Sequence, residues 1–476
     1  MQKVKRKVDF TQGRVFLKIV WFILPIMVTN LLQMFYNAAD MMVVSMSHEP
    51  NAKGAIGMTG AFIQLVINVF IGFSVGANVV VSREIGAKNK ENTQKAVHTS
   101  LMMAVLFGVI GGAIGLLVAR PVLQYMGAEG SLLNLAVTYT SIYFACVPFL
   151  ALANYLIAIF RAKGDAKTPL IVLSITGILN VGLNFFFVLV VGWSVEGVAL
   201  ATAIANVASA IILLIKLHKD QDYTTFSWAK LKLDKQAFRD IVKNGLPAGI
   251  QGALFSLSNV IIQSSIVTVN NAMCPPDRVF DPIVNGSAAA GNIEGFVYTA
   301  MNSVYQGAIT VSSQNMGAGK PQRIKRIMYS CFLITSIIGI SLSAFVLLFQ
   351  KPLLSLYGVI DGAAGSLKEL EMYAAQTRFR YILTFYFLDG IMEVTFGILR
   401  GIGKSFTSMV ISLVGVCVFR MIWIGTLFPI SQTLSTVFIS YPITWVVTLL
   451  VGFVFIQVFL KKILNEHALK EKSVEA

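Results

Sequence analysis

Several stretches of this sequence place ionisable or strongly hydrogen-bonding side chains at helical spacing inside otherwise apolar runs. Gln33, Asn37 and Asp40 stand at i, i+4 and i+7, which puts them on one face of a helix. Asn180 and Asn184 are i, i+4, and so are Thr202 and Asn206. Asp389 and Glu393 repeat that spacing, and Arg420 stands alone in a later apolar run. A carboxylate, amides and a hydroxyl at one depth can bind a proton on Asp40 or hold Na+ through oxygen ligands. For the asparagines and the threonine, packing through interhelical hydrogen bonds is the alternative. Asp40 with only neutral oxygens around it holds Na+ weakly, so neither a resident metal nor a cofactor is expected.

The elements that must carry these residues follow from composition. The chain has 476 residues, 56% hydrophobic and 13% charged. A soluble domain carries roughly 25% charged residues, so lipid is the expected solvent. Spans of about 20 apolar residues cross a bilayer. They fall near 15–46, 54–80, 96–119, 132–160, 168–191 and 195–217, then near 241–270, 287–314, 328–350, 372–399, 405–428 and 432–460. The expectation is an all-α integral membrane protein of twelve transmembrane helices in two pseudo-symmetric six-helix lobes. Residues 1–217 form the first lobe, 218–240 a cytoplasmic linker and 241–476 the second lobe. The basic residues before the first span do not resemble a cleavable signal, and that span is read as retained.

Charge sets the orientation. Of 38 Lys and Arg, 30 fall in the segments that are cytoplasmic if the N-terminus is inside, beginning with Lys3, Lys5, Arg6 and Lys7. Seven fall outside: Lys53, Arg120, Arg278, Lys351, Lys368, Arg378 and Arg380. The bias puts both termini in the cytoplasm and accounts for the net charge of +15 without nucleic acid. The chain also repeats itself. Leu24-Pro25 recurs as Leu246-Pro247, Pro121 and Gly127 as Pro352 and Gly358, and Arg161 and Gly164 as Arg400 and Gly403. Six spans per half give the halves one orientation, related by an axis along the membrane normal.

On this map Asp40, Asn184 and Thr202 lie about 10 Å in from the outer surface, at about 1.5 Å per residue. Glu393 lies about 10 Å from the cytoplasmic end, Asp389 about 16 Å and Arg420 about 24 Å. Asp389 is therefore the carboxylate able to reach Arg420, whereas Glu393 is free to meet a cationic ligand. Glu294, with Tyr298, Asn302 and Tyr305 near one face, is expected to be wet at the outer end of its helix. The basic stretches Ser82–Lys95 and Ser313–Arg326 are expected at the headgroups. Cys146, Cys274, Cys331 and Cys417 show no metal or redox spacing, and His48, His98, His218 and His467 fall at or near helix ends. There is no nucleophile elbow, phosphate-binding loop or paired-histidine motif, so an enzyme is not expected.

Gln33-Met-Phe-Tyr-Asn37-Ala-Ala-Asp40, Ser82-Arg-Glu-Ile-Gly86-Ala, Arg161-Ala-Lys-Gly164-Asp165-Ala-Lys-Thr168-Pro169, Asn180-Val-Gly-Leu-Asn184, Gly245-Leu-Pro247 and Met392-Glu393 through Leu399-Arg400-Gly401 run through both halves in order. Together they resemble the multidrug and toxic compound extrusion (MATE) family, in its bacterial branch related to the DNA-damage-inducible transporters. The resemblance implies two six-helix lobes around a central cavity and export of organic cations or amphipathic drugs in exchange for H+ or Na+. Asp40, Asn180 and Thr202 match the family's cation-coupling positions. Asn184 departs from the aspartate many members carry, which leaves one carboxylate at the site and favours H+. Another branch's seventh-helix acid has no match here, where Phe255 and Ser256 stand, whereas Asp389 matches its tenth-helix acid. The implied substrate cavity includes Gln33, Tyr36, Asn37, Asp389, Glu393 and Arg420. The implied setting is a monomer in the cell membrane, with drugs, H+ or Na+ and lipid as partners. The other function weighed is a flippase for lipid-linked saccharides, which shares the architecture but calls for a basic cavity.

Overall fold

The computed structural model describes residues 8–44, 46, 47, 49, 51–220 and 222–475. Lys3, Lys5, Arg6, Lys7 and His48 lie outside the described residues, as do the side chains of Lys53, Lys470 and Lys472. The described chain is helical throughout, with no strand. Its long helices are α1 (Val15–Val44), α2 (Ala52–Gly86), α3 (Lys90–Tyr125), α4 (Gly130–Ala162), α5 (Lys167–Phe185) and α6 (Val195–Lys219). These are followed by α7 (Lys235–Met273), α8 (Pro282–Gly317), α9 (Ile324–Leu348), α10 (Leu367–Gly401), α11 (Ser405–Thr426) and α12 (Leu434–Glu475). Eleven of these helical stretches among the described residues are long and apolar enough to span a bilayer. The twelfth, α8, is a 36-residue helix interrupted by asparagine, serine, glutamine and glycine. Most helices run several residues past the sequence-based spans, because the polar end turns stay helical beyond the apolar core.

Local chemistry sets the helix ends. Asn89 caps α3 by accepting from Asn92 N at 3.0 Å. At the start of α5, Asp165 accepts from Thr168 N at 3.0 Å and from its hydroxyl at 2.7 Å. The repeat reaches the backbone: α4 and α10 both end on a left-handed glycine, Gly164 at φ +79° and Gly403 at φ +80°. Each donates to the arginine carbonyl three residues back, Arg161 or Arg400, at 2.9 Å. Two helices contain a widened π turn: Phe186–Val190 continues α5, and Leu413–Val418 lies within α11.

Contacts divide the chain into two units. One comprises Met1–Arg14, Trp21–Ala253 and Thr310–Lys320; the other comprises Val15–Val20, Leu254–Ile309 and Pro321–Ala476. In the first, α4 is central and packs on α2, α3 and α6. One apolar core gathers Ala77, Val97, Tyr155, Phe160, Leu213 and Phe226, and a second gathers Val43, Val44, Leu133, Tyr139, Val195 and Val198. Arg83 lies in the last turns of α2 and pairs with Asp240 of α7 at 2.9 Å. In the second unit, α9 and α12 pack against the second half of α10.

Candidate functional site

In the first unit α1, α5 and α6 bring Asp40, Asn180, Asn184 and Thr202 into one hydrogen-bonded ring. Asn184 donates from Nδ2 to Asp40 Oδ1 at 2.5 Å and to Asn180 Oδ1 at 3.4 Å. Asn180 Nδ2 donates to Thr202 Oγ1 at 3.2 Å, and Thr202 donates to Asp40 Oδ2 at 3.4 Å. The i, i+4 spacing stacks Asn180 under Asn184 on α5, and α6 presents Thr202 to that face. One turn further along α5, Thr176 and Ser209 share a hydrogen bond at 2.7 Å.

Asp40 is 9% exposed and borders the apolar cluster containing Val43, Val44 and Val198. Among the described residues its partners are neutral donors; no lysine, arginine or histidine pairs with it. Asn184 is fully buried, and its Oδ1 has no hydrogen-bond partner among the described residues. The rest of the α1 stripe lies outside the ring. Gln33 and Asn37 are exposed. Tyr36 packs its ring over Gly177, where a Cβ would sit 1.8 Å from it, and its hydroxyl donates to Ser174 O at 3.4 Å. Asn206 is half-buried.

In the second unit, α7, α8, α10, α11 and α12 enclose a cavity of about 500 Å³. It is lined by Asp389, Glu393 and Arg420, and by aromatic residues including Tyr298, Tyr386, Tyr441 and Trp445. The cavity shows two departures from expectation. Glu294 is not wet: it is buried and forms a two-pronged ion pair with Arg378. Arg378 Nε donates to Glu294 Oε2 at 3.1 Å, Nη2 to Oε1, and Nη1 to Ser287 Oγ at 3.1 Å. The charge count places Arg378 outside, yet it lies within the span near 372–399, and in the structure α10, which begins at Leu367, holds it against Glu294. Its position eleven residues before Asp389, three helical turns, was the signal available in the sequence.

Nor do Asp389 and Arg420 form an ion pair, although both line the cavity. Arg420 instead donates from Nε to Thr444 Oγ1 at 3.3 Å, and its guanidinium lies 3.9 Å from the centre of the Tyr441 ring. The π turn Leu413–Val418 immediately precedes it and rotates it relative to a regular helix. Further down α8, Asn302 donates to the Tyr298 hydroxyl at 3.3 Å, and Arg400 bonds the Tyr305 hydroxyl. No group of three or more His, Cys, Asp or Glu suited to a metal is found among the described residues.

Known proteins resemble this chain in sequence and in fold. The chain is 27% identical to "Probable multidrug resistance protein YoeA" of Bacillus subtilis over 93% of both chains. It is 28% identical to "Multidrug export protein MepA" of Staphylococcus aureus over 55% of this chain and 58% of that one. An outward-facing structure of a multidrug resistance MATE family transporter superposes with a TM-score of 0.86, at 21% identity, over 98% of this chain and all of the other. The MatE family profile matches residues 25–186 and 281–426. With two helical repeats, a buried carboxylate ring and a match over more than half its length, this chain belongs to the MATE family and is a multi-pass membrane transporter, not an enzyme.

Proposed function

We propose that this transporter exports organic cations and amphipathic drugs in exchange for protons. The observation that carries the proposal is Asp40: a buried carboxylate whose hydrogen-bond donors are all neutral. An unpaired buried charge is costly, so such a group is neutralised by a bound proton or cation. Asn184 favours the proton. A carboxamide carries both donor and acceptor. Its NH₂ serves ionised Asp40, and by turning over it offers its unpartnered Oδ1 to the O–H of protonated Asp40. Na+ would find one formal counter-charge here, whereas hard cations favour oxygen-rich, charged sites.

The relatives' names, multidrug resistance and multidrug export, support the substrate class. So does the second unit's cavity, where carboxylates and aromatic faces suit a cation. Gln33, Tyr36 and Asn37 are proposed to meet substrate along α1, and Glu393 to supply the counter-charge. Residues 1–217 and 241–476 are taken as the two transport lobes, joined through 218–240 in a monomer of the plasma membrane with both termini cytoplasmic. A saccharide-lipid flippase would want a cationic cavity for phosphates, yet here three carboxylates face two guanidiniums. The test is ion movement in everted vesicles on adding cationic drugs. Drug-dependent proton movement without sodium is expected; strict sodium dependence contradicts proton coupling.

A further inference from the structure

Within the second unit, away from the cavity of Asp389 and Glu393, the first turn of α1 and the start of α9 frame an open groove of about 530 Å³. α1 contributes Phe16, while Gln322, Lys325, Arg326, Tyr329 and Leu333 line the rest. Lys325 and Arg326 are exposed, and among the described residues neither has a hydrogen bond or an ion pair. Other cations at helix ends do find acids: Arg83 pairs with Asp240, and Lys351 with Asp361, each at 2.9 Å. No carboxylate lines this groove among the described residues. Two positive charges therefore face one hollow that holds nothing of opposite sign.

Arg326, Tyr329, Leu333, Ile337 and Ile340 follow one another at three or four residues, which makes them one face of α9. Past Arg326 that face turns apolar at once, and Tyr329, Leu333, Ile337 and Ile340 are each about half exposed. From Tyr329 to Ile340 the track runs about 16 Å, close to the hydrocarbon depth of one leaflet, about 15 Å. The Tyr329 ring lies edge-on to Phe332, 6.2 Å between centres, and tyrosine favours the headgroup level. The charge bias assigns this end of α9 to the cytoplasmic side. Cation, aromatic ring and aliphatic track thus follow the order of a phospholipid's phosphate, glycerol and acyl chain. A zwitterionic headgroup brings its own ammonium, which would find no acid here. An anionic headgroup needs only the two cations. A soluble phosphate would use the cations and leave the apolar track uncovered.

We propose that this groove is a binding site for an anionic phospholipid, with the phosphate held by Lys325 and Arg326 and one acyl chain along Tyr329, Leu333 and Ile337. The delipidated full chain in neutral detergent is titrated with phosphatidylglycerol and with phosphatidylcholine of the same chains, and bound lipid is followed by native mass spectrometry. Wild type should bind phosphatidylglycerol about tenfold more tightly, as expected when two basic side chains meet an anionic headgroup. Lys325→Gln with Arg326→Gln should bring the two affinities within about twofold of each other. Lys216→Gln with Lys219→Gln removes the same charge from exposed positions of α6 in the first unit and should leave the preference in place. If the Lys325 and Arg326 double variant does not accumulate, Arg326→Gln alone is read, and there the preference should fall about threefold. Equal affinity of wild type for the two lipids overturns the proposal, as does an unchanged preference in whichever groove variant is read. Loss of the preference in the α6 variant overturns it too, because net charge would then explain the binding. Glycerophosphoglycerol, the headgroup without its chains, should not compete at equal concentration. If it displaces the lipid, the groove holds soluble phosphate esters and the lipid assignment fails.

Discussion

Removing one partner of the Glu294–Arg378 pair should unfold the protein at a distinctly lower temperature. Both side chains are largely buried, at 8% and 14% exposure. Glu294→Gln keeps the shape but leaves the Arg378 guanidinium facing an amide in place of a carboxylate. Stranding one member of a buried pair costs about 3–5 kcal/mol. At roughly 2–4 °C per kcal/mol for a unit of this size, the apparent Tm should fall by about 6–20 °C. Replacing both partners with apolar residues, Glu294→Leu with Arg378→Met, removes the stranded charge and should recover most of that loss. The assay is thermal unfolding of purified protein in one detergent at one scan rate, because membrane-protein unfolding is commonly irreversible. A shift under about 2 °C for Glu294→Gln, well below that expected range, would refute the reasoning. A double variant as unstable as the single would refute it equally.

Asn184→Asp would place a second carboxylate beside Asp40. Two adjacent like charges cannot both stay ionised without a cation, so efflux at a fixed pH gradient should become sodium-stimulated, as measured with and without sodium in reconstituted vesicles. Glu393→Gln should weaken resistance to cationic drugs more than to neutral ones at equal protein level; equal loss across a susceptibility panel would instead make Glu393 a second proton site. Asp389→Asn should leave protein abundance close to wild type, because Thr444 and Tyr441 rather than Asp389 hold Arg420. A severalfold drop on immunoblot would show that the carboxylate is structural after all.

The helical class and the repeat were legible because both rest on strong, local signals. Apolar runs define the spans, and Gly164 and Gly403 recur where the backbone must turn left-handed. The partners in the first unit's ring were legible because i, i+4 spacing and shared depth constrain one another. The i, i+4, i+7 spacing puts Gln33, Asn37 and Asp40 on one face of α1, and of these three Asp40 is the one that joins the ring with α5 and α6. The second unit was harder to read. A depth argument proposed Asp389 for Arg420, yet depth fixes only height, and the π turn before Arg420 changed its direction around the helix. The charge count places Arg378 outside although the span near 372–399 contains it, because counting charges ignores pairing, whereas a buried partner such as Glu294 lets the helix carry a charge within it.

The central claim, that proton binding at Asp40 drives export, is tested most directly in proteoliposomes with an imposed pH gradient, no sodium and a fluorescent organic cation. The assay compares wild type with Asp40→Asn, which removes the titratable group at nearly constant shape. Wild type should transport down the proton gradient, while Asp40→Asn, inserted at equal density, should fall to the rate of protein-free vesicles. Gradient-driven transport by Asp40→Asn at the wild-type rate would contradict the account.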